Sequence, residues 1–178
     1  MSLFLTDGLI IANPALSDIP KFANIAGKAI YIIEHTKAGA IGICLNQNFS
    51  KPIDEIAESL PVLKLLNEEN LLTNKVISGG PLANDIPWIF SRRTGEYDKQ
   101  VSNDYLALNF SDSAFEQSKK QDRAVCGIGS FGWGAGQLEN ELANGLWHYF
   151  PTTEAVLDSI PFANAVRGAA QLLLTMKY

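Results

Sequence analysis

The 178 residues predict a single α+β domain, and three observations carry that expectation. Two apolar runs, Ala29–His35 and Ala40–Asn46, are separated only by Thr36-Lys37-Ala38-Gly39, the spacing of an antiparallel hairpin with a four-residue loop. Helical stretches lie dispersed among strand-like runs without regular βαβ alternation, which argues against a doubly wound parallel sheet. No repeat, low-complexity tract or linker divides a chain of common single-domain length. Its 47% hydrophobic against 19% charged residues suffice for a sizeable core.

Taken in order, the first strand is expected over Gly8–Asn13, closed by Pro14, with a loop through Asp18 and Pro20. In the hairpin, a register that pairs His35 with Ala40 also pairs Tyr31 with Cys44. Pro52 opens a helix with Ser50 as cap, Ile56 and Leu60 on its inner face and a stop at Pro61; Leu63–Leu72 reads as a further helical turn or two. Strands return at Lys75–Ser78, Trp88–Arg92 and Tyr105–Phe110, the first two separated by the turn Gly79-Gly80-Pro81. A short helix over Asp112–Lys120 leads into a strand over Arg123–Gly129. After a run of glycines a second helix spans Gly136–Asn144, stopped by Gly145. Leu146–Phe150 is a further strand, and the chain closes with Thr153–Leu157 and a helix starting at Pro161.

Charge excludes some functions. With 14 basic and 19 acidic residues the net charge is −5, which keeps a protein dissolved and repels phosphate backbones. Arg92-Arg93 and Lys119-Lys120 with Arg123 are scattered solvated charges, so direct nucleic-acid binding is not expected. Met1–Asp7 has no basic leader, and no segment approaches the ~18 apolar residues of a membrane helix, so no membrane partner is expected. Cys44 and Cys126 sit in apolar runs without a CxxC or Cys/His pairing. They read as buried reduced thiols, and a cytoplasmic location is expected.

Chemistry has few places to reside. Gly127-Ile128-Gly129-Ser130-Phe131-Gly132 fits GxGxxG, but a dinucleotide site also needs a βαβ unit with an acidic residue about 20 residues on, and the next strand ends in Phe150-Pro151. No cofactor is expected. The following helix carries Glu139 and Glu141 near its start, where they complement the dipole and oppose an incoming anion. Adjacent strand residues face opposite sides, so Glu34 and His35 do not form a simple acid/base pair, and His35 reads as a satisfied strand-end histidine. His148 is the only other histidine, so no multi-His metal site forms and no metal is expected. The Trp133–Glu141 block is read as architectural. Its glycines let the strand turn sharply into the helix, with Gly132, Gly134 or Gly136 where a side chain would collide or φ is positive. Trp133 covers the turn, Leu138 and Leu142 face the core, and Gln137 shares a face with Glu141. At least one of Gln137 and Glu139 is expected to bond backbone of a neighbouring loop, such as Gly79-Gly80-Pro81.

In order along the chain, Leu9-Ile10-Ile11-Ala12-Asn13-Pro14 with Leu16, Ile30-Tyr31-Ile32-Ile33-Glu34-His35, Gly39-Ala40-Ile41-Gly42-Ile43 with Asn46, Gly79-Gly80-Pro81-Leu82, and Gly132-Trp133-Gly134-Ala135-Gly136-Gln137-Leu138-Glu139 with Glu141 and Trp147 resemble the YqgE/AlgH family of small bacterial proteins. The resemblance implies one α+β domain with a mixed, partly barrel-like sheet flanked by helices, and no established reaction. A transcriptional-regulator label attaches to part of that family. The chain departs from the pattern at polar positions: Gly27-Lys28 stand where a basic residue and Ser are usual, and Asn46-Gln47-Asn48 replace Asn-Arg-Pro or Asn-Lys-Pro. Ile86-Pro87-Trp88 and Ser91 stand in place of an Arg-Gly-Phe segment ending in His. Asn109-Phe110-Ser111-Asp112 replaces a Thr-Ser stretch with Asp, and Gly145-Leu146 replaces Asn-Ser. A retained scaffold with an altered site has that appearance. The sequence therefore favours a non-enzymatic protein that binds a protein or small-molecule partner in a regulatory role. Two alternatives stand beside it: an enzyme with a cleft lined by Glu34, His35, Asn46, Trp133, Gln137 and Glu139, and a transcriptional regulator.

Overall fold

Short runs of β-branched and aromatic residues become the strands of one mixed sheet. The computed structural model describes residues 4–6, 8–47, 77–92, 106–109 and 124–150. The strands are β1 (Leu9–Ala12), β2 (Ala29–Thr36), β3 (Gly39–Cys44), β4 (Ile77–Ser78), β5 (Leu82–Arg92), β6 (Leu106–Asn109), β7 (Ala124–Gly134) and β8 (Trp147–Phe150), with the helix α1 (Gln137–Ala143) between the last two. The strand order is β6-β5-β7-β3-β2-β1-β8. Every neighbour on that path is antiparallel, while β4 pairs parallel with β7. The fold is α+β with a mixed sheet. Its path runs from β6 at one end to β8 at the other without closing among the described residues, so the barrel-like closure is not seen there. No helix among the described residues is long and apolar enough to cross a membrane. The stretches 52–61, 63–72, 112–120, 153–157 and the one starting at 161, with the expectations placed on them, lie outside the described residues.

β1 is buried on both faces, as its unbroken Leu-Ile-Ile-Ala run requires. Asn13 then caps a 3₁₀ turn over Pro14–Asp18, its Oδ1 accepting from the Ala15 amide at 3.0 Å, where a plain loop was expected. The hairpin forms, with two corrections. Pairing runs on to Thr36 opposite Gly39, leaving Lys37 and Ala38 as a two-residue turn braced by the Ala38 amide donating to Thr36 Oγ1. His35 does pair with Ala40, but Cys44 faces Ile30 and Tyr31 faces Ile43, because a bulge at Ile33 breaks the register between Ile32 and Glu34.

β7 is longer than expected and joins the two parts of the sheet. Its first half pairs with β5 and β4, and residues 131–134 pair with β3. The GxGxxG glycines therefore lie inside a strand rather than in a phosphate-cradling loop. At Gly127 a Cβ would stand 2.1 Å from the Trp88 ring, so the missing side chain is what admits the indole, whose Nε1–H donates to the Gly129 carbonyl. The sharp turn comes later, at Ala135-Gly136. Gly136 caps α1 with φ +75°, whereas Gly134 has no neighbour closer than 3.9 Å to its notional Cβ.

α1 ends as expected at Gly145, whose φ is +74°. The Gly145 amide donates to the Leu142 carbonyl and the Leu146 amide to the Glu141 carbonyl, the paired closure of a Schellman motif. Leu138 is buried in the core with Ile10, Ile30, Ile32, Trp133 and Trp147, and Leu142 packs against that cluster.

Candidate functional site

The bulge at Ile33 decides which residues meet. In an unbroken strand Ile30, Ile32 and Glu34 would share a face. The extra residue inverts the alternation beyond it, so His35 joins Ile30 and Ile32 on the α1 side and Glu34 is turned to the other. Each face then carries its own group of candidate residues.

On the α1 face His35 is 2% exposed and fully engaged. The Leu5 amide donates to Nδ1 at 3.1 Å, which makes Nδ1 an acceptor and places the ring proton on Nε2, facing Glu139 Oε1. Thr6 Oγ1 accepts from the His35 amide at 2.9 Å, and the Phe4 ring stands edge-on to the imidazole at 5.3 Å. Glu139 lies in the first turn of α1. Its carboxyl is held below the usual glutamate range, first by its own backbone N–H and then by the His35 ring, with burial opposing. Glu141 accepts at one oxygen, Oε2, from the indole N–H groups of both Trp133 and Trp147, each at 2.8 Å, and the two rings meet edge to face. Gln137 donates to the other Glu141 oxygen at 3.2 Å and accepts from the Gly134 amide at 3.0 Å. The expected backbone bond exists, but to Gly134 at the end of β7 rather than to Gly79-Gly80-Pro81.

Asn46 belongs elsewhere. Its Oδ1 accepts from the Ala29 amide at 2.9 Å and from the Cys44 thiol, and its Nδ2 donates to the Gly27 carbonyl at 2.8 Å. It ties down the start of β2, about 20 Å from His35 at ~3.3 Å per strand residue. Cys44 is a buried free thiol whose pKa burial pushes up, so it is not poised to react. Among the six candidates, the structure brings His35 with Glu139 and Trp133 with Gln137 to the α1 face, turns Glu34 away from His35 although it shares a hollow with Trp133, and sets Asn46 apart from them all.

The opposite face is open. Glu34, Ile41 and Ile43 of the hairpin, Ile86 and Trp88 of β5, and Ser130 of β7 line a groove of about 640 Å³. A second hollow of about 370 Å³ is lined from both sides: Ala40 and Trp133 belong to the α1-side core, while Glu34, Thr36 and Ile41 are shared with the first. Ile41 and Ile86 are each 45% exposed, and Leu82, beside Gly132, is 52% exposed. The groove's far wall is an irregular stretch of β5 in which four residues, Ala83 to Ile86, oppose the single Gly129, and Ala83 sits at φ +52°. Among the described residues no group of three His, Cys, Asp or Glu side chains converges as a metal site.

Sequence reasoning missed the roles of Leu5, Thr6, Glu141 and Ile86. A carboxylate between Trp133 and Trp147 was a usable signal for Glu141, whereas nothing local announces that residues 4–6 return over His35. The apolar Ile86 was visible only as a lost family polar group.

The fold and these two faces define a class: a small α+β protein with a buried histidine and a part-buried hydrogen-bonded polar cluster under one helix, in which Glu139 Oε2 has no partner among the described residues, and an open apolar groove on the other side of its sheet. The chain belongs to the AlgH-like family, whose model matches residues 9–175. It is 31% identical over 173 residues to a UPF0301 protein of Dechloromonas aromatica, covering 95% of this chain and 90% of that one. To a UPF0301 protein of Photobacterium profundum it is 30% identical over 149 residues, covering 80% and 78%. Its fold is similar to the solution structure of the AlgH protein from Pseudomonas aeruginosa, with a TM-score of 0.67 at 24% identity over 100% of this chain and 96% of that one. A crystal structure from Corynebacterium diphtheriae matches with a TM-score of 0.62 at 17% identity, over 86% and 79%.

Proposed function

We propose that the chain is a non-enzymatic binding protein whose site is the groove between the β2–β3 hairpin and β5, and that it acts in regulation by occupancy rather than turnover. One observation carries this reading: the apolar side chains Ile41 and Ile86 stand nearly half exposed over a cavity of about 640 Å³, within the range of sites that take small ligands. The enzymatic alternative gains little from the α1 face, where both ring nitrogens of His35 are engaged and the ring is buried. A general base needs reach to a substrate proton, which that burial denies. A binding protein without chemistry signals through the state its ligand stabilises. The acidic balance of the chain speaks against nucleic acid as the partner.

Nile red, a neutral apolar dye, tests the site. Its emission is expected to rise and shift to the blue with one-to-one stoichiometry. Ile41→Asp and Ile86→Asp, both at exposed positions, are expected to weaken it roughly tenfold, the factor for losing one buried aliphatic contact. Equal binding by the folded variants would refute the groove as the site.

A further inference from the structure

We infer that Glu34 makes the groove selective for a cation, so that its ligand is a small amphiphilic amine carrying a ring or chain for the apolar floor. This rests on the groove being the binding site and adds the chemical class of the occupant.

Among the described residues, Glu34 is the one charged side chain lining either hollow. It has neither a hydrogen-bond partner nor an ion pair there, in contrast to Glu139 and Glu141 on the α1 face. Its position follows from the bulge, which turns it away from α1 and directly opposite the exposed Ile41. With Thr36 and Ile41 it lines both hollows, so Glu34 stands where they meet, with Ile43, Ile86 and Trp88 lining the larger one. A cation placed beside this exposed carboxylate gains a modest Coulomb energy, while an anion entering the same groove is repelled. Among the described residues this single carboxylate has no second charged ligand beside it, and that suits an ammonium group rather than a metal ion, which draws several oxygen donors together. The hydroxyl of Ser130 across the groove can accept a further N–H. A volume of about 640 Å³ behind the irregular wall of β5 matches a small molecule better than a polypeptide.

The test uses the full chain with three probes of one shape: 1-naphthylmethylamine, 1-naphthylmethanol and 1-naphthoate. Binding is followed by the amide shifts of Ile41 and Ile86 and the Trp88 indole signal. The amine is expected to bind about two- to fivefold more tightly than the alcohol, the factor typical of a partly exposed charge pair, and the naphthoate most weakly. The preference shrinks as salt is raised. Glu34→Gln lowers the affinity of the amine to that of the alcohol. Equal affinity for all three probes, or an amine preference that survives in E34Q, overturns the cation selectivity and leaves the groove standing. Failure of all three to move the groove signals overturns the groove itself and this inference with it.

Discussion

Two indole N–H groups share one carboxylate oxygen at Glu141, and that sharing joins α1 to β7 and β8 in a single contact. Trp133 and Trp147 are buried, so neither donor has water as a ready substitute. Glu141→Ala is expected to destabilise the fold by about 1–3 kcal/mol for each donor left unpaired, with Glu141→Gln costing less because an acceptor remains. A fall in the urea midpoint at constant m value is the measurement, and an unchanged midpoint would show that the rings find other partners. Glu139 carries a pH signature. Its folded pKa is depressed, so its ionised form contributes stability above the unfolded value of about 4.3, and that contribution is lost as pH falls through the lower folded pKa. Between neutrality and about pH 3, the wild type should therefore lose stability relative to Glu139→Gln, which has no proton to take up there. Parallel stability curves for the two would show that Glu139 does not contribute in this way.

At the scale of elements, α1 is seven residues long, too short to persist on its own propensity. It is held by Leu138 in the core, by the Glu141 bridge and by its C-terminal closure. Gly145 sits in the left-handed region with nothing within 4 Å of a notional Cβ, so an added methyl would meet no clash and the cost is purely one of backbone conformation. Gly145→Ala is thus expected to cost about 1–2 kcal/mol, and Gly145→Asn, which tolerates that region, less. Equal losses for the two, by thermal or urea unfolding, would place the cost in packing instead. The hairpin shows the complementary case. Its turn and near register follow local chemistry, yet the single extra residue at Ile33 decides which of Glu34 and His35 meets α1.

For the molecule as a whole, the described strands form one continuous hydrogen-bonded path, and the family match extends over residues 9–175. We expect the chain to behave as a single domain with one cooperative transition in calorimetry, its calorimetric and van't Hoff enthalpies agreeing. Two separated transitions in the monomer would reveal a second folding unit. Within the sheet, β7 binds the two parts together: its first half serves β5 and β4, its last residues serve β3. Both faces of the hairpin therefore share one continuous sheet, with the polar cluster of α1 on one side and the groove on the other.

The strands, the hairpin, the helix 137–143 and its glycine stop were legible in order because periodicity, turn chemistry and capping are local, and the amino acids state them within a few residues. The family blocks were legible for the same reason. The candidate site was only partly so. That Leu138 and Leu142 turn inward and that Gln137 reaches Glu141 follows from a spacing of four on a helix. That Asn46 clamps Gly27 and Ala29 about 20 Å from His35, and that the Leu5 amide closes over the imidazole, depends on contacts between residues 17 to 30 positions apart. The bulge at Ile33 belongs with these: period-two alternation is the same in either register, and only the pairing of β2 with β3 and the contacts its side chains find on each face, such as His35 with Glu139, select one. Residue type and local order came from the chain itself. The face each side chain occupies, and so the separation of the polar cluster under α1 from the open groove, was settled by packing between segments far apart along it.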